Sequence, residues 1–100
     1  MGQRIEIESS QVVDSSVILA TNRSLTGTKG EGYATASDAT ASGTFAGGLA
    51  ADLFESDDSV SRVYIESNVA VIQRDGGWSD DVLSATEAVV EEFFLFYPAV

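Results

Sequence analysis

The chain of 100 residues contains no cysteine and no histidine. Without cysteine it has no disulfide, no thiolate nucleophile and no thiolate ligand for zinc or an iron–sulfur cluster. Without histidine it lacks the side chain that most often serves as a near-neutral base and metal ligand. These absences exclude cysteine- and histidine-based catalytic triads, zinc hydrolase sites and thiol chemistry. We therefore expect a protein that is not an enzyme, holds no cofactor or metal and binds no cluster by itself.

Positive charge is scarce as well. Five Lys and Arg residues face sixteen Asp and Glu residues, which gives a formal net charge of −11. Such a chain repels phosphate backbones and anionic membranes, so we expect neither nucleic acid nor membrane as a partner. The acids are spread along the whole length, which is typical of halophilic cytoplasmic proteins, where molar salt shortens the Debye length to about 3 Å and screens the repulsion. The alternative is an ordinary acidic protein.

Long apolar runs are also missing, since none approaches the ~20 residues that cross a bilayer. The first residues resemble neither a secretory signal nor a transit peptide, so we expect a cytoplasmic protein. Hydrophobic residues make up 44% of the chain, within the range of globular domains. A chain of this length suits one domain, residues 1–100, whose core buries roughly 60–65% of the unfolded surface.

The first half of the chain carries β-strand patterns followed by a glycine-rich stretch. Alternation over residues 4–8 and a β-branched run within residues 12–20 predict two strands, joined by a hairpin turn at residues 14–16. Glycines are frequent over residues 25–33, which predicts a loop. The Ala, Ser and Thr residues at 34–44 predict a short helix or coil.

The second half has clearer periodicity. Apolar residues recur at helical spacing over residues 44–55, although Gly47 and Gly48 weaken the first turn, so we expect the regular helix to begin near Gly48. Two Val- and Ile-rich runs, residues 59–66 and 69–74, flank Ser67-Asn68 and predict a hairpin. Ser79 is placed to cap a final helix over residues 79–96, with two aspartates in its first turn and Trp78 placed to pack onto Leu83.

These elements predict a two-layer α+β fold. About four strands, arranged as two hairpins, form an antiparallel sheet, and the helices at residues 45–55 and 79–96 pack on one of its faces. The other face meets solvent.

One hydrophobic pattern spans about fifty residues. It consists of Leu49-Ala50-x-x-Leu53-Phe54, then Val60-x-x-Val63, then Ala70-Val71-Ile72, then Trp78 opening a helix that ends in Phe93-Phe94. This order and spacing resemble the N-terminal domain of Nfu-type (NifU-like) iron–sulfur cluster scaffold proteins. The resemblance implies the fold of that domain and a role associated with iron–sulfur cluster assembly or transfer.

The chain departs from the family pattern in its first half. The family's threonine–proline–asparagine–proline motif has no counterpart in residues 10–15, and Gly47-Gly48 replaces a serine–proline pair at the helix start. The family's separate C-terminal domain carries a Cys-x-x-Cys cluster motif, and no cysteine occurs in these hundred residues. The resemblance therefore implies a stand-alone accessory domain.

We expect the partner to be a protein, with a cysteine-bearing iron–sulfur scaffold or carrier as the leading candidate, and the chain to be a monomer or weak homodimer. End-of-core packing is the favoured interpretation of the apolar end of the last helix, and the alternative is a partner surface made of Phe94, Phe96 and Tyr97, together with Trp78.

Two alternative functions stay open. One is a structural protein that self-associates through the Phe-rich end. The other is an enzyme, or a binder of a small ligand or metal. It would use the region of Tyr33, Tyr64 and Trp78 with nearby carboxylates, or the acidic loops at residues 57–58, 75 and 80–81, whose oxygens suit a hard cation.

Overall fold

The computed structural model describes residues 6–22, 25 and 30–96, without the side chains of residues 45 and 94–96. This part of the chain forms five strands and three helices. In chain order they are β1 (Ile7–Val13), β2 (Ser16–Thr21), β3 (Glu31–Tyr33), α1 (Ala36–Ala41), α2 (Phe45–Ser56), β4 (Val60–Glu66), β5 (Val69–Arg74) and α3 (Asp80–Phe96). The predicted α+β class with an antiparallel sheet is confirmed.

The five strands form one antiparallel sheet in the order β1-β2-β5-β4-β3. Both predicted hairpins are present, with turns at Asp14-Ser15 and Ser67-Asn68. Leu25, between β2 and β3 in the sequence, lies at the β4–β5 turn, where its backbone N–H donates to the carbonyl of Ser67 at 2.6 Å. The strand order places β1 at one edge of the sheet and β3 at the other.

Burial alternates along the central strands, so the two faces of the sheet differ. One face contributes Val17, Leu19 and Thr21 from β2, Ala70 and Ile72 from β5, and Val63 and Ile65 from β4, all fully buried. These side chains share one core with the buried apolar residues of α2 and α3, among them Leu49, Leu53 and Val90. The helices therefore cover one face, as the sequence predicted.

The regular part of α2 begins at Phe45, so the prediction of a start near Gly48 is wrong. Thr44 caps the helix, because its Oγ1 accepts a hydrogen bond from the backbone N–H of Gly47 at 3.0 Å. The glycine is needed for packing, since a Cβ at residue 47 would lie 2.5 Å from the carbonyl oxygen of Ala39 in α1. The low helix propensity of glycine is thus outweighed by a cap and a close helix contact.

The N-terminus of α3 follows the prediction. Ser79 caps it, with its Oγ accepting from the backbone N–H of Val82 at 3.3 Å and its carbonyl accepting from Leu83 at 2.9 Å. Asp80 and Asp81 lie in the first turn, near the positive end of the helix dipole. Trp78 and Leu83 both pack against the core.

The fold has one strand more than the predicted number of about four. Glu31–Tyr33, within the stretch predicted as a loop, forms β3 against β4. The first strand spans Ile7–Val13 and so extends past its predicted end at residue 8, while residues 4–5 of the prediction lie outside the described part. None of the helices in the described ranges is long and apolar enough to span a membrane.

Candidate partner-binding surface

The second face of the sheet has no helix packed against it in the described part of the chain. Along the register, Ile18 of β2 lies opposite Val71 of β5, which lies opposite Tyr64 of β4. One pair further along, Ala20 lies opposite Val69. These four aliphatic side chains are half-buried, and Tyr64 is 38% exposed. We call this set, Ile18, Ala20, Tyr64, Val69 and Val71, the open face.

Tyr64 leans away from the middle of the open face toward the β3 edge. A Cβ added to Gly32, its cross-strand neighbour, would lie 3.1 Å from Tyr64 Cδ2, and one added to Gly30 would lie 2.0 Å from the Tyr64 hydroxyl. The ring therefore covers the backbone of these two glycines. The hydroxyl donates a hydrogen bond to Glu66 Oε1 at 3.0 Å, and this bond is the main cause that raises the pKa of Tyr64.

Because the ring of Tyr64 leans toward β3, it leaves the valines of β5 partly exposed. A depression of about 360 Å³ lies over them, lined by Tyr64, Glu66, Ser67, Val69 and Val71. Its floor is aliphatic and Glu66 supplies a carboxylate at its rim. Such a shallow apolar depression suits a protruding apolar side chain of a partner better than a small ligand, which normally lies in a deeper cleft.

The large apolar side chains that are exposed in the described residues all lie in the sheet. Val12 and Val13, at the end of β1, are 45% and 44% exposed, and Tyr64 is the third. The helices bury their large apolar side chains more completely wherever these are described. Uncovered apolar surface is therefore concentrated on the sheet, a feature typical of interaction sites when it forms a contiguous patch.

The partner surface predicted at the end of α3 lies mostly outside the described side chains. Phe94 and Phe96 are in the last turns of α3, but their side chains and all of Tyr97 fall outside the described part, so this prediction stays a prediction. Trp78 is described. It is half-buried, and its Nε1 donates to the carbonyl of Ser15 in the β1–β2 turn at 2.9 Å.

The three aromatic residues predicted as one ligand region are not brought together. Tyr33 pairs with buried Val63 in the register, so it faces the helices, whereas Tyr64 lies on the open face. Trp78 contacts the β1–β2 turn, at the other end of the strand order. A single site built from all three is therefore absent from this fold.

The acidic loops predicted as metal ligands are arranged differently. Within the described residues, no group of three or more acidic side chains is placed to hold a metal ion. Asp57 instead accepts a hydrogen bond from Arg74 Nε at 2.5 Å, and this bond is the main cause that lowers the pKa of its carboxyl. No local pattern indicates this pair, since seventeen residues separate its members.

A shallow groove of about 350 Å³ runs between α2 and α3 on the solvent side, lined by Asp52, Glu55, Ser56, Val89, Glu92 and Phe93. Burial, and then the charge of Glu55, raises the pKa of Asp52. Burial is thus the main cause of this shift, and the nearby carboxylate of Glu55 adds to it. With no cation among the lining residues, this groove adds to the negative potential of the molecule.

No protein-family model and no curated protein matches the chain. Among solved structures, the fold is similar to that of protein SAV1430 from Staphylococcus aureus, with a TM-score of 0.64. The match covers 84% of this chain and 96% of that chain at 16% sequence identity. A likeness at this level of identity concerns the fold, and SAV1430 shares the architecture described above.

Proposed function

We propose that this chain is a non-enzymatic interaction domain that acts in iron–sulfur cluster assembly or transfer, with a protein partner supplying the cysteines. The observation that carries the interaction role is the open face, an apolar sheet surface that no element of the described chain covers. The iron–sulfur association rests on the resemblance to the Nfu N-terminal domain. The residues that carry this resemblance lie in α2, β4, β5 and α3, with Trp78 in the loop before α3.

The chemistry of the chain supports a binding role rather than a catalytic one. The open face and its rim offer aliphatic side chains, one phenol and one carboxylate. The aliphatic side chains can bury apolar area against a partner, whereas this set includes no general base tuned to act near neutral pH. A partner that contributes its own cysteines would be the cluster-binding component, while this chain contributes surface. We place the chain as a monomer or weak homodimer that associates with a cysteine-bearing scaffold or carrier.

Affinity capture of the tagged chain from its own cell extract at native salt tests this proposal. We expect cysteine-bearing iron–sulfur scaffolds or carriers among the recovered proteins, and their loss in the Tyr64→Asp variant. Ala88→Asp is the matched control, because it adds the same charge at an exposed position of α3. Phe94→Asp tests the surface predicted at the end of α3 in the same experiment. Recovery of self-copies alone would contradict the iron–sulfur role and support self-association.

We also propose that the acidic surface is an adaptation to high salt in a cytoplasmic setting. One ion pair, Asp57 with Arg74, occurs among the described residues, while the acids number sixteen in the whole sequence. Most of the described carboxylates thus have no cation beside them. Such a surface repels itself at low ionic strength, and molar salt removes that repulsion.

A further inference from the structure

The edge strand β1 is exposed along most of its length. It pairs with β2 on one side and with no other described strand, and six of its seven residues are exposed. Alternate backbone N–H and C=O groups of an edge strand point outward and can pair with another chain. Proteins commonly protect such edges with lysine or proline. β1 contains neither residue, although a β-bulge lies between Ile7 and Ser9.

Two exposed valines lie at the end of this strand on opposite faces of the sheet. Val12 pairs with buried Val17 and so lies on the helix side, and Val13 pairs with Ser16 and lies on the open-face side. A body packed against one face would cover only one of these two valines. A strand added alongside β1 places side chains beside both of them, because successive residues of a strand alternate between the faces.

The surroundings of this edge are negatively charged. Glu6, Glu8 and Asp14 are exposed along β1 and its turn, and Glu87 of α3 accepts a hydrogen bond from Ser10 Oγ of β1. No lysine or arginine occurs in residues 6–22 or in α3. The only described ion pair, Asp57 with Arg74, lies elsewhere in the fold. The described edge therefore attracts positive charge.

A second copy of the chain is a poor occupant. Antiparallel pairing of β1 with itself about Ser10 would place Glu6 opposite Asp14 at both ends, and like charges directly opposite one another destabilise a strand pair. Each copy would also bring a net charge of −11. Charge complementarity instead selects a different chain, one whose extended segment carries lysine or arginine among apolar side chains.

The geometry points to strand addition at β1, in which this edge binds an extended basic segment of a partner protein. Main-chain hydrogen bonds to β1 would supply affinity. Val12 and Val13 would contact the apolar residues of the segment, and Glu6, Glu8 and Asp14 its basic residues. This inference rests on the proposed interaction role, to which it adds a surface and the chemistry of the segment that the surface binds.

A defined probe tests the inference with the full chain. The probe is a synthetic peptide of alternating valine and lysine, about eight residues long to match a strand of ordinary length. Amide NMR shifts and hydrogen exchange of the labelled protein are followed at roughly 0.1 M salt, where exposed charges still act over about 10 Å. We expect shifts and slower exchange within Ile7–Val13. Shifts confined to the α2–α3 groove would overturn the assignment.

Two matched comparisons separate strand addition from general attraction. Replacing both Glu6 and Glu8 by Gln should raise the Kd about fivefold, since two exposed ion pairs are lost. The Glu55→Gln/Asp58→Asn variant removes the same charge at exposed positions on α2 and the turn after it, and should change the Kd less than about twofold. If both variants raised the Kd of the peptide equally, binding would depend on net charge alone, which would overturn the assignment to β1.

The peptide itself supplies the backbone control. N-methylation of its four central residues keeps every charge but removes the donors that a strand ladder needs, and should weaken binding about tenfold or more. Unchanged binding of the methylated peptide would overturn strand addition, and equal binding of a valine–glutamate peptide would overturn the choice of a basic segment. If, without peptide, hydrogen exchange in β1 slows as the protein concentration increases, the edge binds a second copy of the chain instead.

The outcome is separable from that of the proposed function. If cell-extract capture recovers an iron–sulfur scaffold while the valine–lysine peptide leaves β1 unchanged, the function stands and the β1 assignment fails. If the peptide binds β1 but capture recovers no cluster-handling protein, the edge assignment stands and the iron–sulfur role fails.

Discussion

Arg74 Nε lies 2.5 Å from Asp57 Oδ2, which ties the end of β5 to the residue that follows α2. Both side chains are mostly buried, with 17% and 20% of their surface exposed. Arg74 also donates from Nη1 to the carbonyl of Gly77 at 2.8 Å, so it links the α2–β4 turn to the β5–α3 loop. The guanidinium of Arg74 thus joins the segment that enters β4 to the segment that leaves β5.

This pair should contribute measurably to stability. Asp57→Asn keeps the oxygen that accepts from the backbone N–H of Ser59 but removes the charge opposite Arg74. We expect the free energy of unfolding at pH 7 to fall by about 1.5–3 kcal/mol, the range of a hydrogen bond to a charged group. Urea denaturation measures it. Asp58→Asn, one residue away at an exposed position, is the control and should change stability by less than about 0.5 kcal/mol.

The same pair fixes the sign of a pH dependence. Because Arg74 holds the pKa of Asp57 below its usual 3.8, the folded state favours the ionised carboxylate more than the unfolded state does. The stabilisation is complete above the unfolded pKa and is lost as pH falls through the lower, folded pKa. The difference in stability between the wild-type chain and Asp57→Asn should therefore shrink below about pH 4. A difference that stayed constant down to pH 2 would contradict this assignment.

Adjacent glycines in α2 should respond differently to alanine. A Cβ at Gly47 would lie 2.5 Å from the backbone oxygen of Ala39, whereas a Cβ at Gly48 would lie 3.3 Å from Cζ of Phe93, the far end of a side chain. We expect Gly47→Ala to destabilise the chain by about 1–3 kcal/mol through overpacking, even though alanine is the better helix former.

Gly48→Ala is the matched comparison, since the change in helix propensity is the same. Its gain of up to about 1 kcal/mol should offset a small shift of the Phe93 ring, so its net effect stays within about 1 kcal/mol of zero. Thermal unfolding of both variants measures the contrast. If both variants gained stability equally, the close approach of α1 to α2 at Gly47 would be wrong.

The elements that the sequence predicted well are those whose signals are local. The β4–β5 hairpin shows Val- and Ile-rich runs around Ser67-Asn68, and α3 shows a serine cap with acids in its first turn. The division of the sheet into a buried and an open face also follows from alternation along these strands. Such patterns extend over only a few residues, so a single sequence is enough to predict the elements that they form.

The features that were missed depend on contacts distant in sequence. β3 was predicted as a loop because Gly32 and the preceding Gly30 weaken any strand pattern, and the ring of Tyr64, which lies over both glycines, is a contact distant in sequence. The Asp57–Arg74 pair and the scattering of Tyr33, Tyr64 and Trp78 likewise follow from the strand order. Strand order is set by the packing of the whole chain, which periodicity does not reveal.

The phenol of Tyr64 should report on its neighbour Glu66. The hydrogen bond to Glu66, then burial, then the charge of Glu66 raise the pKa of Tyr64 above 10.0. Glu66→Gln removes the charge, so the pKa of Tyr64 should fall toward 10.0. NMR of ring carbons in labelled tyrosine separates this residue from the other two tyrosines.

Glu31→Gln is the control for that titration. Its carboxylate accepts a hydrogen bond from the hydroxyl of Tyr33, which faces the helix side of the sheet. Glu31→Gln should therefore leave the titration of Tyr64 in place. If Tyr64 titrated at the same pH with and without Glu66, the hydrogen bond across the rim of the open face would be absent in solution.

Salt should stabilise the fold if the acidic surface is an adaptation to it. Raising KCl from ~0.1 M to ~2 M shortens the Debye length from about 10 Å to a few ångströms and removes repulsion among the carboxylates. We expect Tm to rise, with about 4–8 °C for each kcal/mol gained in a domain of this size. An unchanged or lowered Tm would contradict the halophilic assignment.

Charge variants show whether such a rise comes from screening. Glu55 and Glu92 line the α2–α3 groove, where burial and the charge of Glu55 raise the pKa of Asp52. Glu55→Gln/Glu92→Gln should therefore raise Tm at low salt and reduce the further gain from KCl, because less repulsion remains to be screened. Arg62→Gln, at an exposed position of β4, makes the net charge more negative and should do the opposite. Equal salt gains in all three proteins would trace the effect to salting-out of apolar surface, since that contribution does not depend on charge.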